Sequence, residues 1–480
     1  MGHCRGRLRA AAALSLWAIT LWAIILWAMP AIAQSGPAGD ALTGATPAPA
    51  GLWERQNLLG DIGGVRPALE AHGVSLGLSE IGEVLGNVTG GLHHGFEYAG
   101  LTTLSLTLDT DKAFHWAGGT LYASALQIHG RNLNTDNLAA LQTISNIDAQ
   151  RATRLWELWL QQKLPDGRGD LKIGQQSVDQ DFLVNPDSAV FINAMMGFPA
   201  LPSNDLYGGA PVYPLSSLGI RLRTKPADAL TLLAGVFDDN PPGGGFSNDS
   251  QLRDGEASGT RFNLGTGALL IGEIQYAAAR PLFADAGADL PGTYKLGGWI
   301  DTGRFPDQRF DAAGLSLADP ASSGVARLHK GNFSVYGIVD QAVWHEAGGP
   351  RSLAVVARVT GAPGDRNLVD WSLNAGINLK APLPGRNDDT FGIGYGWAHV
   401  SGRAAGFDRD ARLFTGMASP IRDSEQVIEI TYQYQAARWW LVQPDLQYVV
   451  SPGGGLPSPT APTKPIGDAL VVGLRMTLTF

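Results

Sequence analysis

The stretch that decides the fold is DALVVGLRMTLTF, from Asp468 to Phe480. Every second residue in it is apolar: Leu470, Val472, Leu474, Met476, Leu478 and Phe480. The residues between them are mostly small or polar, and one of them is charged. A period of two is that of a β-strand whose two faces meet different environments. The pattern therefore predicts an amphipathic strand that includes the last residue of the chain.

The same period recurs along most of the sequence. Alternating apolar residues occur at Leu104 to Leu108, Phe391 to Trp397, Ile428 to Tyr434 and Val442 to Val450. Turn-rich segments separate the runs: LPDGRGD (164–170), NPPGGG (240–245), APLPGRND (381–388) and SPGGGLPSPTAPTKP (451–465). Short breaks alternate with long ones, and no block repeats with a fixed length, which argues against a propeller or solenoid. The arrangement predicts antiparallel strands joined by hairpins.

Two architectures explain the alternation, a soluble sandwich and a membrane barrel. Three features favour the barrel. Tyr and Trp lie near strand ends on the apolar faces, the opposite faces carry Gly, Thr and Gln, and the strand region is too long for one sandwich core. We predict an all-β fold, a transmembrane antiparallel up-and-down β-barrel of about 16 strands. Its last strand, ending at Phe480, should pair with the first, because a sheet in lipid must close.

One residue conflicts with this pattern. Pro444 lies inside an otherwise regular strand and lacks the N–H that the ladder needs. Proline in a sheet is normal at edges and bulges, so we predict a local bulge at Pro444.

The N-terminal residues have the features of an export signal. Residues 1–33 contain Arg5, Arg7 and Arg9, a long apolar run, and an A-x-A site ending at Ala33. They predict a cleaved signal peptide, with an uncleaved anchor as the alternative. Residues 34–51 are Pro- and Ala-rich and predict a flexible lead segment before the barrel of residues 52–480. Within the barrel region, Pro67 and Gly73 predict one short helix over residues 65–72.

Composition restricts the partners. The formal net charge is −9, which disfavours nucleic acid as a partner. The mean hydropathy of −0.01 fits a soluble protein and a membrane β-barrel equally, because lipid-facing residues of a barrel alternate with polar ones. The single cysteine, Cys4, lies in the leader, so no disulfide is expected in the mature chain. A barrel of this kind belongs in the outer membrane of a Gram-negative bacterium. Its expected partners are outer-membrane lipid and, through the strand ending at Phe480, the barrel-assembly machinery.

Several segments resemble the OprB-like carbohydrate-selective porins. They are LLGDIGGVRPALEAHGVSL (58–76), RLWELWLQQKLPDGRGDLKIGQ (154–175), GGAPVYPLSSLGIRLRTKPADALTLLAGVFDDNPPG (208–243) and WWLVQPDLQYVVSPGGG…DALVVGLRMTLTF (439–480). The resemblance runs from about Leu52 to Phe480 and includes the Gln-Pro pair at Pro444. It implies a 16-stranded outer-membrane barrel that passes glucose and related monosaccharides by passive diffusion, without a cofactor.

A sugar pathway needs groups that bind hydroxyls and aromatic faces that stack on C–H patches. With a period of two, Trp156, Leu158 and Leu160 should face lipid, while Leu155, Glu157, Trp159 and Gln161 should face the lumen. We predict Glu157 and Trp159 as wall contacts for the solute, with Arg154 or Arg151 reaching in from the loop end. The competing interpretation is that Trp159 belongs to an aromatic girdle and Glu157 only meets water.

The segment from Phe182 to Gly219 is long and rich in Asn, Pro and Gly, and such loops are usually functional. Folded into the barrel, it would narrow the lumen; the alternative is a surface loop over the mouth. Its predicted sugar contacts are Asn193, Asn204, Asp205, Tyr207 and Tyr213. Polar residues at the end of the strand TLYASALQIHG and just after it could line the entrance. They are His129, Arg131, Asn132 and Asn134.

Signals of an enzyme are poor. His345-Glu346 lacks the second histidine that a zinc helix needs, and the chain has no G-x-S-x-G or P-loop motif. We therefore expect no catalytic residue and no metal site. Three alternatives stay open: a general or ion-selective porin, an outer-membrane barrel enzyme, and a soluble β-protein such as a lectin.

Overall fold

The computed structural model describes residues 51–247, 257–281 and 290–480. Sixteen of its strands form one closed barrel in which each strand pairs antiparallel with its neighbours. This confirms the predicted all-β barrel and its strand number. Within the described residues, no helix is both long and apolar enough to cross a membrane.

The strands follow one another around the barrel in chain order. The first half comprises β1 (Val74–Gly91), β2 (Gly95–Asp109), β3 (Gly119–Gly130), β4 (Ala152–Lys163), β5 (Gly169–Gln176), β6 (Ser217–Ala227), β7 (Leu230–Asp238) and β8 (Ala268–Ala278). The second half comprises β9 (Gly292–Asp311), β10 (Ala326–His345), β11 (Ser352–Gly361), β12 (Val369–Lys380), β13 (Thr390–Val400), β14 (Ser424–Ala437), β15 (Trp440–Val450) and β18 (Gly467–Thr479). A separate small hairpin, β16 (Pro457–Ser458) and β17 (Ala461–Pro465), lies between β15 and β18.

Helices occur only in connections and before β1. They are α1 (Val65–Ala71), α2 (Thr110–Phe114), α3 (Ala194–Gly197), α4 (Ala200–Asp205), α5 (Gly402–Thr415) and the single turn α6 (Pro452–Gly455). Shorter 3-10 turns occupy Leu52–Glu54, Val178–Gln180, Pro186–Val190 and Tyr207–Gly209, and Asn134–Leu138 forms a π-helical turn. The helix predicted over residues 65–72 corresponds to α1. The predicted signal peptide and residues 34–50 of the lead segment lie outside the described residues.

The two ends of the barrel differ in the length of their connections. At the end where the chain enters β1 and leaves β18, the connections are residues 110–118, 164–168, 228–229, 279–291, 346–351, 381–389 and 438–439. We call this the turn end. At the opposite end, the loop end, they are residues 92–94, 131–151, 177–216, 239–267, 312–325, 362–368, 401–423 and 451–466. Short turns at one end and long loops at the other are typical of outer-membrane barrels, whose loops are extracellular.

The last strand closes the barrel as predicted. β18 pairs with β1 from Ser79 opposite Thr479 to Gly91 opposite Gly467, and the backbone N–H of Phe480 donates to the carbonyl oxygen of Leu78 at 2.9 Å. Arg66 in α1 donates to the terminal oxygen of Phe480 at 2.9 Å. The helix before the first strand therefore holds the end of the last one.

Side chains of β18 alternate as the period of two predicted. Leu474 and Met476 are exposed on the outer surface, whereas Val471 and Arg475 are buried on the inner side.

The bulge predicted at Pro444 is wrong. Pro444 pairs with Leu474 of β18, and the register between β14 and β15 is the same before and after it. Next to the proline, the ladder to β14 lacks the pairs of Tyr432 with Pro444 and of Gln433 with Gln443, and the pairing resumes in the same register at Tyr434 opposite Val442.

The apolar core lies inside the barrel and is built largely by two loops. Residues 177–216 contribute Phe182, Leu201 and other buried side chains that pack against inward residues of β7 to β12, such as Trp299 and Tyr336. Residues 131–151 contribute Leu138 and Ile144, which pack on the inner side of the seam between β1 and β18. The loops therefore fill much of the lumen and determine the shape of any passage through it.

Candidate functional site

The loop of residues 177–216, called here the long loop, crosses the lumen and is fastened to the opposite wall. Arg358 projects inward from β11 and is fully buried. Its guanidinium donates hydrogen bonds to carbonyl oxygens of the long loop, those of Leu183 (3.0 Å), Met195, Met196 (3.1 Å) and Gly197 (2.9 Å). A second contact, 3.1 Å to Asn374 Oδ1, fixes the guanidinium itself. One arginine therefore holds two turns of the loop at once.

Inward carboxylates fasten the backbone N–H groups of the same loop. Glu429 on β14 accepts hydrogen bonds from the N–H groups of Ile192 (2.6 Å) and Asn193 (3.1 Å). On the other side of the lumen, Glu273 on β8 accepts from the N–H of Leu183 at 3.0 Å. Buried peptide groups need partners, and these side chains supply them where the loop leaves regular structure. The loop is thus held across the barrel from several strands.

The loop of residues 131–151, called here the second loop, is joined to the long loop. The N–H of Asn146 donates to Ile192 O, and the N–H of Ala194 donates to Thr143 O, both at 2.9 Å. Glu425 on β14 accepts from the N–H groups of Leu141 and Gln142 at 2.8 and 2.7 Å. The two loops therefore form one inner body with a shared attachment to the wall.

A cavity of about 690 Å3 lies between the two loops and the wall of β1, β2 and β4. Ile81, Leu101 and Trp156 line it from the wall. The loops contribute a mixed lining of apolar and polar residues. The polar ones are Asn134, Thr135, Thr143, Ser145, Asn146, Asp148, Asp179, Gln180, Asn185, Ser203, Asn204 and Tyr213. Small-molecule sites usually have volumes of about 300–1,000 Å3. The cavity is large enough for a small solute and offers many hydrogen-bonding groups.

One wall of the cavity is aromatic. The rings of Trp156 and Tyr213 pack edge to face with centroids 6.2 Å apart. The indole N–H of Trp156 donates to Leu215 O at 3.2 Å, and the hydroxyl of Tyr213 donates to Ile147 O at 3.0 Å. Both polar tips are thus fixed by backbone carbonyls, so what these two side chains present to the cavity is aromatic surface. Such surfaces suit the C–H patches of a sugar ring.

Two loop carboxyls of this cavity have perturbed acidity. Burial, reinforced by the neighbouring Glu83, raises the pKa of Asp148 well above its usual value. Burial also raises the pKa of Asp179, although the hydroxyl of Ser177 hydrogen-bonds to it. The negative charge of the cavity should therefore change at a higher pH than that of ordinary carboxylates.

In β4, some side chains face the opposite side of the sheet from the one that the sequence predicted. Glu157 pairs with Ser124 and Leu155 pairs with Ala125, so Trp156 forms a bulge with no partner of its own. Sequence parity assigned Trp156 to lipid and Leu155 to the lumen, and both assignments are wrong because a bulge reverses the alternation beyond it. Trp156 instead faces the cavity.

The bulge also brings Arg154 to the inner side. Arg154 pairs with Leu126, which is buried in the interior, and its own side chain is buried as well. Glu157 faces inward as predicted, and its Oε1 accepts from the N–H of Ser177 at 3.1 Å. Glu157 therefore fastens the first residue of the long loop.

Trp159 lies farther toward the turn end, on the inner wall. Its ring stacks on Tyr122 with centroids 4.9 Å apart, and Lys172 Nζ lies 4.9 Å from the ring centroid. Below the long loop, cations and carboxylates of β5, β6 and the loop form opposed pairs. They are Lys172 with Asp181, Arg221 with Asp181 (3.1 Å), Arg221 with Asp170, and Arg223 with Asp170 (2.6 Å). Balanced pairs of this kind present both signs of charge along one wall.

The structure divides the residues predicted as sugar contacts on the long loop. Asn204 and Tyr213 line the cavity. The side chain of Asn193 is buried, donates to Gln447 Oε1 at 3.0 Å and accepts from the N–H of Met195 at 3.0 Å. Asp205 accepts from the N–H groups of Leu368 and Val369 (3.1 Å), and the hydroxyl of Tyr207 donates to Arg304 O at 2.8 Å. These last three side chains fasten the loop.

The residues predicted at the entrance are also divided. Arg131 lies at the loop end, exposed, with Asp136 at 3.0 Å and Glu97 at 3.4 Å. The exposed Arg151 donates to Gly130 O at 2.5 Å. Asn134 lines the cavity, but His129 is on the outer surface beside Tyr98 and Glu80, so its predicted place at the entrance is wrong.

Sequence reasoning missed the residues that hold the loops: Arg358, Glu273, Glu425 and Glu429. Arg358 and Glu273 are each the single charged residue of their strand, and Glu425 and Glu429 are the two charged residues of β14; all four are buried at inward positions. An isolated charge at inward parity was the available signal. What each one binds depends on the path of a loop distant in sequence, so its role could not be inferred.

Comparison with known proteins gives consistent results. The sequence model of the family described as "Carbohydrate-selective porin, OprB family" matches residues 93–480. Porin B of Pseudomonas aeruginosa is 25% identical over 444 residues, which cover 88% of this chain and 91% of that protein. The solved structure of Pseudomonas putida OprB at high pH aligns with a TM-score of 0.77 and 24% identity, covering 89% of this chain and 99% of that one. Its low-pH structure aligns with a TM-score of 0.53 and 19% identity.

Proposed function

The chain belongs to the carbohydrate-selective porin family OprB, and on this premise we propose that it passes monosaccharides such as glucose through the cavity between its two inner loops. It is an outer-membrane sugar porin, a channel and not an enzyme. Passage through such a barrel is passive and follows the concentration gradient of the solute.

The observation that carries the proposal is the combination of rings and amides in the cavity. Trp156 and Tyr213 contribute aromatic surface for the C–H faces of a pyranose, and Asn146 and Gln180 line the same space with exposed side chains that carry amides for its hydroxyls. A solute must exchange these contacts quickly to pass, so many weak groups suit a channel better than one tight site.

The electrostatics of the inner wall fit a neutral solute. Lys172 and Arg221 face the carboxylates of Asp170 and Asp181, so an ion of either sign meets an attractive and a repulsive group together. A sugar carries no net charge and is not held by such pairs. We propose Glu157 and Trp159 as the wall of the pathway on the turn-end side of Trp156, Arg154 as a wall residue on its loop-end side, and Arg131 and Arg151 as charges at the entrance.

The experiment is single-channel current through the detergent-purified protein in a planar bilayer, with glucose titrated into the bath. A small, steady conductance that falls saturably with glucose is expected, and Trp156→Ala should weaken the block. Leu158→Ala is the matched control, because Leu158 lies on the same strand and faces outward. Steady conductance that ignores glucose would leave the barrel intact and favour a general or ion-selective porin.

We also propose the route by which the chain reaches its membrane. Residues 1–33 act as a signal peptide removed after Ala33, and the strand ending at Phe480 is recognised by the barrel-assembly machinery. Mass spectrometry of the purified protein should give an N-terminus at Gln34. Removal of Phe480 should lower the amount of folded barrel in the outer membrane.

A further inference from the structure

Two buried carboxylates, Asp239 at the start of the connection 239–267 and Asp301 on β9, have oxygen atoms without a hydrogen-bond donor. Asp239 and Asp301 are each 1% exposed. Neither oxygen of Asp239 accepts a hydrogen bond, and the same holds for Oδ2 of Asp301. Oδ1 of Asp301 accepts only from the N–H of Gly303, at 2.8 Å. Leaving buried carboxylate oxygens without a donor or counter-charge is costly, so something must compensate them.

The carboxylates converge on one point because two glycines make room for them. A Cβ atom placed on Gly303 would lie 2.9 Å from Asp239 Oδ2 and 3.0 Å from Asp301 Oδ1. One placed on Gly267 would also collide with Asp239 Oδ2 and would lie 2.9 Å from Thr302 Oγ1. Oxygen atoms of two carboxylates and a hydroxyl therefore surround the backbone of Gly303 and Gly267, where no side chain intervenes.

No cationic side chain among the described residues lies within ion-pair distance of either carboxylate. Within residues 51–247, 257–281 and 290–480, no ion pair involves Asp239 or Asp301. The neighbouring Asp238 is a further buried acid and adds negative charge. A cation or a shared proton is required to neutralise the pair.

We propose that Asp239 and Asp301 bind a divalent cation of the calcium type, which fastens the start of the connection 239–267 to β9. Such cations take six to eight oxygen ligands and accept carboxylates, hydroxyls, carbonyls and water. The described residues contain no metal-binding group of three or more acidic, histidine or cysteine side chains, so the remaining ligands are neutral oxygens and water. The site lies on the inner wall, separate from the cavity between the two inner loops, and does not depend on sugar transport.

Terbium luminescence tests the site, because aromatic rings close to the metal sensitise the emission. Tyr207 is close enough: a Cβ on Gly303 would lie 2.8 Å from Tyr207 Cε2 and 2.9 Å from Asp239 Oδ2. The full chain is refolded in detergent, treated with a chelator and titrated with Tb3+. Saturable emission that Ca2+ displaces is expected. Asp239→Asn and Asp301→Asn should each weaken Tb3+ binding at least about tenfold, since each removes a charged ligand.

Asp307→Asn is the matched control. Asp307 is also buried on β9, but its carboxylate is already paired with Arg327 at 2.7 Å and His329 at 2.9 Å. It should bind Tb3+ as the unmodified protein does. A second measurement does not depend on the variants: millimolar Ca2+ should raise the melting temperature of the chelator-treated protein, as any ligand of the native state does.

Absence of both the displaceable emission and the melting shift in the unmodified protein would overturn the proposal. In that case the two carboxyls share a proton, and the asparagine variants should be as stable as the unmodified chain at neutral pH or more so. Equal loss of emission in Asp307→Asn would also count against the site, because it would place Tb3+ elsewhere on the strand.

Discussion

The carboxylate of Glu83 lies 2.6 Å from the guanidinium of Arg475, across the seam where the last strand meets the first. Both side chains are buried on the inner side of the barrel. Arg475 also donates to Ser145 Oγ of the second loop at 3.1 Å. The pair therefore connects closure of the barrel with the position of one of the two loops that form the cavity.

Breaking this pair from one side should destabilise the barrel. Arg475→Gln leaves the carboxylate of Glu83 buried without its counter-charge, so the free energy of unfolding should fall by about 3–5 kcal/mol. Urea titration of the refolded protein in detergent measures it. The double variant Glu83→Gln/Arg475→Gln removes both charges and should recover part of the loss. A double variant less stable than Arg475→Gln would contradict this account.

Arg358 should control how tightly the long loop is held. Its guanidinium binds carbonyl oxygens at both Leu183 and Gly197, so Arg358→Ala releases two turns of the loop together. We expect a larger and noisier single-channel conductance. Arg309→Ala serves as the control, because Arg309 pairs with Asp410 in α5 and does not touch the loop. Unchanged current in Arg358→Ala would show that the loop keeps its place without this residue.

The sequence predicted the barrel well because each strand carries its own period of two, which depends on local residue order alone. The pairing of the last strand with the first was predicted in the same way, from the alternation that runs to Phe480. The cavity could not be predicted to the same degree. Trp156 was assigned to lipid because one extra residue in β4 reverses the parity on one side of it, and the residue types in Arg154 to Gln162 do not show where that extra residue lies. Asp205 and Tyr207 were read as sugar contacts because a polar loop residue looks the same whether it binds solute or another loop.

A glycine on the inner wall gives room for the long loop. The ring of Phe191 lies against Gly394 of β13, where a Cβ atom would be 2.9 Å from Phe191 Cε1. Gly394→Val should therefore displace Phe191 and change the single-channel conductance, and Phe191→Ala in the same chain should restore it by removing the clash. Gly337→Ala is the control, since the nearest atom to its Cβ would be 3.9 Å away. Identical currents in Gly394→Val and the unmodified protein would refute this packing.

Ion selectivity should depend on pH through the cavity carboxyls. Burial raises the pKa of Asp179, so this group loses its charge, as the pH falls, earlier than an ordinary aspartate with a pKa near 3.9 does. Cation preference, measured as the reversal potential in a KCl gradient, should therefore decline on acidification from neutral pH before exposed carboxylates titrate. Asp179→Asn removes the charge at every pH and should flatten that part of the curve. Asp166→Asn, in the turn between β4 and β5, is the control and should leave the curve unchanged. If Asp179→Asn retained the full pH dependence, the titrating group would lie elsewhere, with Asp148 the next carboxyl to replace.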